Sequence, residues 1–282
     1  MKKIIVAIDF SDCSINALEH AITIADKAKA DILMVWAKKP DNTKDIFLIE
    51  PENLLEEVKK RFEELIKKYK IGFKNGKLEY KIRKGKIYKE IVKEAEESGA
   101  FMIAAGTHGA SGFEKFWAGS NANKIISASK VPVITIRGGI DIDRKLSKIV
   151  MPIDSSLETR QKVSFTSILA KLFNAEIYVL AVYTTNVKAV QSRVDRYANQ
   201  IIEHLEEEEI KYHLDSIRTD NLTNATIQYA EKIDANLISI MTEQEKTTSN
   251  LWLGPFAAQM VNHSPIPVLS IHSKQMTISL SR

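Results

Sequence analysis

Cysteine is all but missing from this chain. Its 282 residues hold one, Cys13, which excludes an intrachain disulfide and any cysteine-built metal cluster. Cys13 falls near a predicted helix N-terminus, where a thiolate is favoured; a small apolar filler is the competing reading. Also missing is an apolar run of membrane-spanning length. The opening Met1-Lys2-Lys3-Ile4-Ile5-Val6-Ala7-Ile8 is broken by Asp9 and lacks a cleavage site, so it does not read as a signal peptide. A cytoplasmic location and no membrane partner are expected. Charge of one sign is lacking too: 40 basic residues stand against 36 acidic ones, a net +4. The Lys-rich segments 59–70 and 74–93 are interleaved with Glu, which describes a solvated helix face better than a nucleic-acid patch.

What is present is an ordinary globular composition, 44% hydrophobic and 27% charged, over a length that suggests two domains. Ile4 to Ile8 reads as a buried strand. Ser11 or Asp12 can cap the helix after it, whose apolar face carries Ile15, Leu18, Ala21, Ile22 and Ala25. Strands follow at 31–37, 78–83, 101–105 and 131–136. Between them lie helices, one beginning at Pro51 and one running from Gly85 to Ser98-Gly99. Strands alternating with helices predict an α/β fold with a mainly parallel sheet covered on both faces. Right-handed crossovers then gather Asp9, Ala37 and Gly106 at the carboxyl edge, where ligands of open α/β sheets bind.

The second half repeats the first. Ile149 to Asp154 echoes Ile5 to Asp9, Ala175-Glu176-Ile177 echoes Ala30-Asp31-Ile32, and Ala235 to Ile238 echoes the fourth strand. Pro267 stands 135 residues after Pro132, as Gly254 does after Gly119. A duplication of this size predicts two tandem domains, 1–140 and 145–273, joined near Gly138-Gly139, with a tail over 274–282. The tail alternates apolar and polar residues and is either an edge strand or loose. The last strands of the two halves, 131–136 and 266–271, are expected to pair within the chain as a pseudo-dimer, each covering the other's exposed edge.

One stretch carries chemistry. Gly106-Thr107-His108-Gly109 ends a predicted strand, and Gly119-Ser120 leads into a predicted helix. Glycines let main-chain N–H groups approach phosphate oxygens, the helix N-terminus adds partial positive charge, and Ser120 adds a hydroxyl. Alone, such glycines serve equally well as a tight turn. At the 135-residue offset, Gly106 becomes Met241, Gly109 becomes Gln244 and Ser120 becomes Pro255, with Glu243 and Glu245 close by. Side chains then stand where main chain had to approach the ligand, proline removes an N–H, and acidic groups repel phosphate. The second half is expected to hold no triphosphate, and Asp154 to act there as a helix cap.

Together these residues resemble the universal stress protein family in its tandem form, over nearly the whole chain. The glycine pattern Gly106-x-x-Gly109, nine residues, Gly119-Ser120 matches its ATP-binding branch; the opening Val-Ala-Ile-Asp and closing Val-Pro-Val match as well. The resemblance implies an adenine nucleotide α-hydrolase-like, Rossmann-like fold with five strands per domain. It implies that Asp9 contacts the ribose, and that Ala37 offers main-chain groups to adenine. Gly106, Gly109 and Gly119 would cradle the phosphates, Ser120 would bind the terminal one, and His108 lies in the same loop. ATP is the implied cofactor, with Mg2+ open. The family has histidine where Trp36 stands; Trp36 either lines the adenine pocket or packs in the core. The leading functional reading is a nucleotide-binding regulatory or stress-response protein with no designated catalytic residue. A slow ATPase or nucleotide-transfer enzyme and a non-nucleotide interaction module are the alternatives, and a homodimer of the whole chain stays open.

Overall fold

The computed structural model describes residues 2–38, 53–107, 120–137, 145–242 and 253–273. In the first half, β1 (Lys3–Ala7), α1 (Asp12–Ala28), β2 (Asp31–Lys38), α2 (Leu54–Tyr69), β3 (Leu78–Lys84), α3 (Ile87–Glu97), β4 (Met102–Gly106), α4 (Ser120–Ala128) and β5 (Val133–Ile136) alternate. The second half follows with β6 (Lys148–Ile153), a 3-10 turn (Leu157–Arg160), α5 (Val163–Phe173), β7 (Glu176–Tyr183), α6 (Lys188–Glu207), β8 (Tyr212–Arg218), α7 (Leu222–Lys232), β9 (Leu237–Thr242), α8 (Pro255–His263) and β10 (Val268–His272). No helix among the described residues is long and apolar enough to cross a membrane. The predicted tail at 274–282, the helix start at Pro51 and the join at Gly138-Gly139 lie outside the described residues.

Central strands are runs of Ile, Val, Ala and Met because both their faces are covered. Ile4, Val6 and Met34 point into one layer with α1, α2, α5 and α6. Ile5, Leu33 and Val35 point into the other with α3, α4, α7 and α8. Each apolar layer continues across both halves, and the Phe101 and Phe165 rings meet at 4.9 Å between them.

The strand order is β3-β2-β1-β4-β5-β10-β9-β6-β7-β8. Every pairing is parallel except β5 with β10, where Ile134 faces Leu269 and Thr135 faces Val268. Ile134 and Leu269 are themselves counterparts at the 135-residue offset, so a local two-fold passes through that pair, as in an isologous interface. The expected pairing of last strands is the seam of one ten-stranded sheet. Strand limits shift by one or two residues from the sequence reading: β4 begins at Met102, and β5 begins at Val133, after Ser129 Oγ accepts from Val131 N at 3.0 Å and holds that turn.

Edge strand β3 is pinned by charge. Glu94 of α3 is buried and accepts from Lys81 Nζ at 3.1 Å and from Arg83 Nε at 2.9 Å. Burial raises the Glu94 pKa, but those two cations outweigh it and hold the carboxyl below its usual range. A depressed carboxylate stabilises above its unfolded pKa and loses that contribution as pH falls through the folded one. We expect Glu94→Gln to cost about 1–2 kcal/mol at pH 7, and the gap from wild type to close as urea unfolding is repeated at pH values below about 4.

Candidate functional site

Three strand ends meet at one edge of the first half. Ala7 pairs with Val35 and with Ala105, which sets Asp9, Ala37 and Gly106 just past those pairs. Asp9 is exposed, and its Oδ1 accepts from Ser11 N at 3.0 Å and Ser11 Oγ at 2.5 Å. Ser11, rather than Asp12, is the cap of α1: its Oγ accepts from Ser14 N at 3.3 Å. Phe10 takes a left-handed φ of 63° inside this turn. Thr107 N then donates to Ile136 O at 3.0 Å, tying the chain leaving β4 to β5.

Gly106 has a packing reason to be glycine. A Cβ there would lie 2.7 Å from the carbonyl carbon and the Cβ of Cys13, and 2.9 Å from its carbonyl oxygen. The end of β4 thus presses directly on the first turn of α1, and any side chain would push the helix off. Cys13 is the residue it presses on, through its main chain and Cβ. Gly106→Ala should cost about 1–3 kcal/mol of stability by overpacking, read as a lowered urea midpoint; an unchanged midpoint would mean that α1 yields freely.

Of the other predicted site residues, Ala37 is buried at 8% exposure on β2 opposite Arg83. Trp36 is half-buried and packs on the apolar layer formed by Ile4, Val6 and Met34. Ser120 is the first residue of α4. His108, Gly109 and Gly119 lie outside the described residues, as do Glu243, Gln244 and Glu245. No group of three or more His, Cys, Asp or Glu side chains is placed to hold a metal among the described residues.

The second half copies the turn and changes its surroundings. Asp154 Oδ1 accepts from Ser156 N at 2.9 Å and Ser156 Oγ at 2.6 Å, and Asp154 N donates to Thr159 Oγ1 at 3.3 Å. The first half has the same Asp-x-Ser turn at Asp9, so in each half it shapes the entry to the first helix. Met241 stands where Gly106 would be and is itself buried. The counterpart of α1 is split into a 3-10 turn at Leu157–Arg160 and α5 from Val163. The repeat alone suggests a continuous helix there; the chain instead opens with the 3-10 turn, and buried Met241 at the end of β9 lines the same cavity as Thr159 and Lys162. Pro255 opens α8 at its first turn, where a missing N–H costs nothing, with Gly254 as the cap.

Beside that split lies a cavity of about 280 Å³ at the edge, between Asp154, Glu158, Thr159, Lys162 and Met241. Lys162 stands 145 residues after Ala17, as Asp154 does after Asp9. It is 1% exposed, and its Nζ donates to Thr159 O at 2.6 Å and Thr159 Oγ1 at 3.1 Å. Burial pushes its pKa down to about 8, against the smaller opposing pull of Asp154. Sequence reasoning missed Lys162; setting the first helices of the two halves in register, where Ala17 faces it, was the available signal.

The universal stress protein family model matches residues 1–137 and 145–272. Universal stress protein YxiE of Bacillus subtilis is 31% identical over 145 residues, which is 48% of this chain and 98% of that protein. Universal stress protein MJ0531 of Methanocaldococcus jannaschii is 30% identical over 139 residues, 48% of this chain and 82% of that one. Among solved structures, a universal stress protein from Archaeoglobus fulgidus superposes over 96% of this chain and 98% of its own, with a TM-score of 0.72 at 20% identity. That likeness concerns the fold, and it extends over both halves and the seam between them.

Proposed function

This chain belongs to the universal stress protein family, and from that premise we propose that it is a nucleotide-binding regulatory protein that takes ATP in its first half alone. The observation that carries the reading is the difference between two otherwise matching sheet edges. In one, β4 ends in Gly106 against the start of α1; in the other, Met241 fills that place and Pro255 opens the following helix. The first edge suits a nucleotide laid across three strand ends. Asp9, exposed there, fits the ribose; the main chain at Ala37 fits adenine; and Gly106, Gly109, Gly119, Ser120 and His108 fit the phosphates. Mg2+, where present, would accompany the phosphates. We assign the two domains to 1–140 and 145–273, with the tail over 274–282. Binding would order the glycine segment and shift which surface a protein partner meets.

The test is mass spectrometry of the small molecules released from the purified chain, followed by incubation with added ATP. Recovery of ATP that stays intact is the expected result. Prompt appearance of ADP would move the reading to a slow ATPase. No nucleotide, and no binding at millimolar ATP, would overturn it in favour of an interaction module.

A further inference from the structure

We propose that the second half carries a ligand site of its own, the cavity beside Lys162, which binds a small organic monocarboxylate with an apolar body. Buried lysines are rare unless paired, and here the hydrogen-bond partners are two neutral oxygens, both of Thr159. An ammonium has three N–H donors. Among the described residues no carboxylate lies within 4.0 Å of Lys162 Nζ, so a cation only 1% exposed borders a 280 Å³ space with one N–H donor beyond its two bonds to Thr159. An anion is what such a group stabilises.

The rest of the wall selects the kind of anion. Pro152, Leu222, Met241 and Phe256 line the same cavity and favour an apolar body. Asp154 and Glu158 are the other ionisable groups facing it among the described residues. They leave the lining with one more negative than positive charge, so a phosphate dianion or triphosphate is repelled where a single carboxylate is tolerated. The volume is at the small end of ligand pockets. The site also differs from its counterpart in the chain: Lys162 stands where Ala17 does in the first half, and the helix is broken beside it. This reading is independent of ATP in the first half.

Calorimetric titration of the full chain with benzoate, hexanoate, inorganic phosphate and ATP tests it. Benzoate or hexanoate is expected to bind once per chain, and phosphate not to compete. At pH 8 binding should take up about half a proton, seen by comparing buffers of different ionisation enthalpy, because carboxylate fixes the proton on Lys162. Lys162→Met should weaken carboxylate binding roughly tenfold to hundredfold, abolish the proton uptake and leave ATP affinity unchanged. Leu222→Trp, which keeps the lysine and fills the space, should lose carboxylate binding as well. The proposal fails if neither carboxylate binds at millimolar concentration, if Lys162→Met binds as wild type does, or if the uptake is absent from wild type.

Discussion

Replacing Gly109 by glutamine, its counterpart in the second half, is expected to weaken ATP binding by roughly a hundredfold without moving the thermal midpoint. The side chain would stand between the main chain and the phosphates. Loss of one or two charge-assisted N–H bonds is worth about 3 kcal/mol, and 1.4 kcal/mol is a factor of ten. Stability should hold because Gly109 follows the last residue of β4 in sequence and, as glycine, has no side chain whose packing could be lost. Gly106→Ala is its opposite: a change three residues earlier whose first effect is on packing against Cys13. Calorimetry and thermal unfolding on the two variants separate them. Undiminished ATP affinity in Gly109→Gln would put the nucleotide elsewhere.

Lys162→Met is expected to change how stability depends on pH more than any other single substitution. The lysine is fully buried with its pKa pushed down to about 8, whereas the unfolded chain titrates near 10.4. Between those values the unfolded state binds more protons, so wild-type stability rises with pH there. From pH 7 to pH 10 wild type should gain about 2.5 kcal/mol relative to the methionine variant, which has nothing to titrate at that position. At pH 7 methionine spares the cost of a buried charge, while leaving Thr159 without its donor. Urea unfolding across that range decides it; parallel curves for the two proteins would mean that Lys162 is solvated.

The order of elements was legible because buried parallel strands are apolar runs and the helices between them carry one apolar stripe. Even the seam was readable, since a constant 135-residue offset makes Ile134 and Leu269 counterparts. The break at Leu157–Arg160 was not. Its residues include no glycine or proline; the neighbour that differs from the first half is Met241, distant in sequence and lining the same cavity as Thr159. Lys162 stayed hidden for a related reason. A lysine reads as surface unless the position it inherits, here that of Ala17 at 0% exposure, is known to face the sheet. The glycine stretch was legible as a motif, but Gly106 answers first to steric contact with α1, which no motif records. Asp9 and Asp154 make the same turn in both halves, so that aspartate alone never distinguished them.

Photolabelling of the whole chain with 8-azido-ATP, followed by peptide mapping, tests the asymmetry between the halves most directly. The account predicts label confined to peptides before residue 138, protected by excess ATP and lost in Gly109→Gln. Label in peptides after residue 145, protected by ATP and indifferent to Gly109, would contradict it.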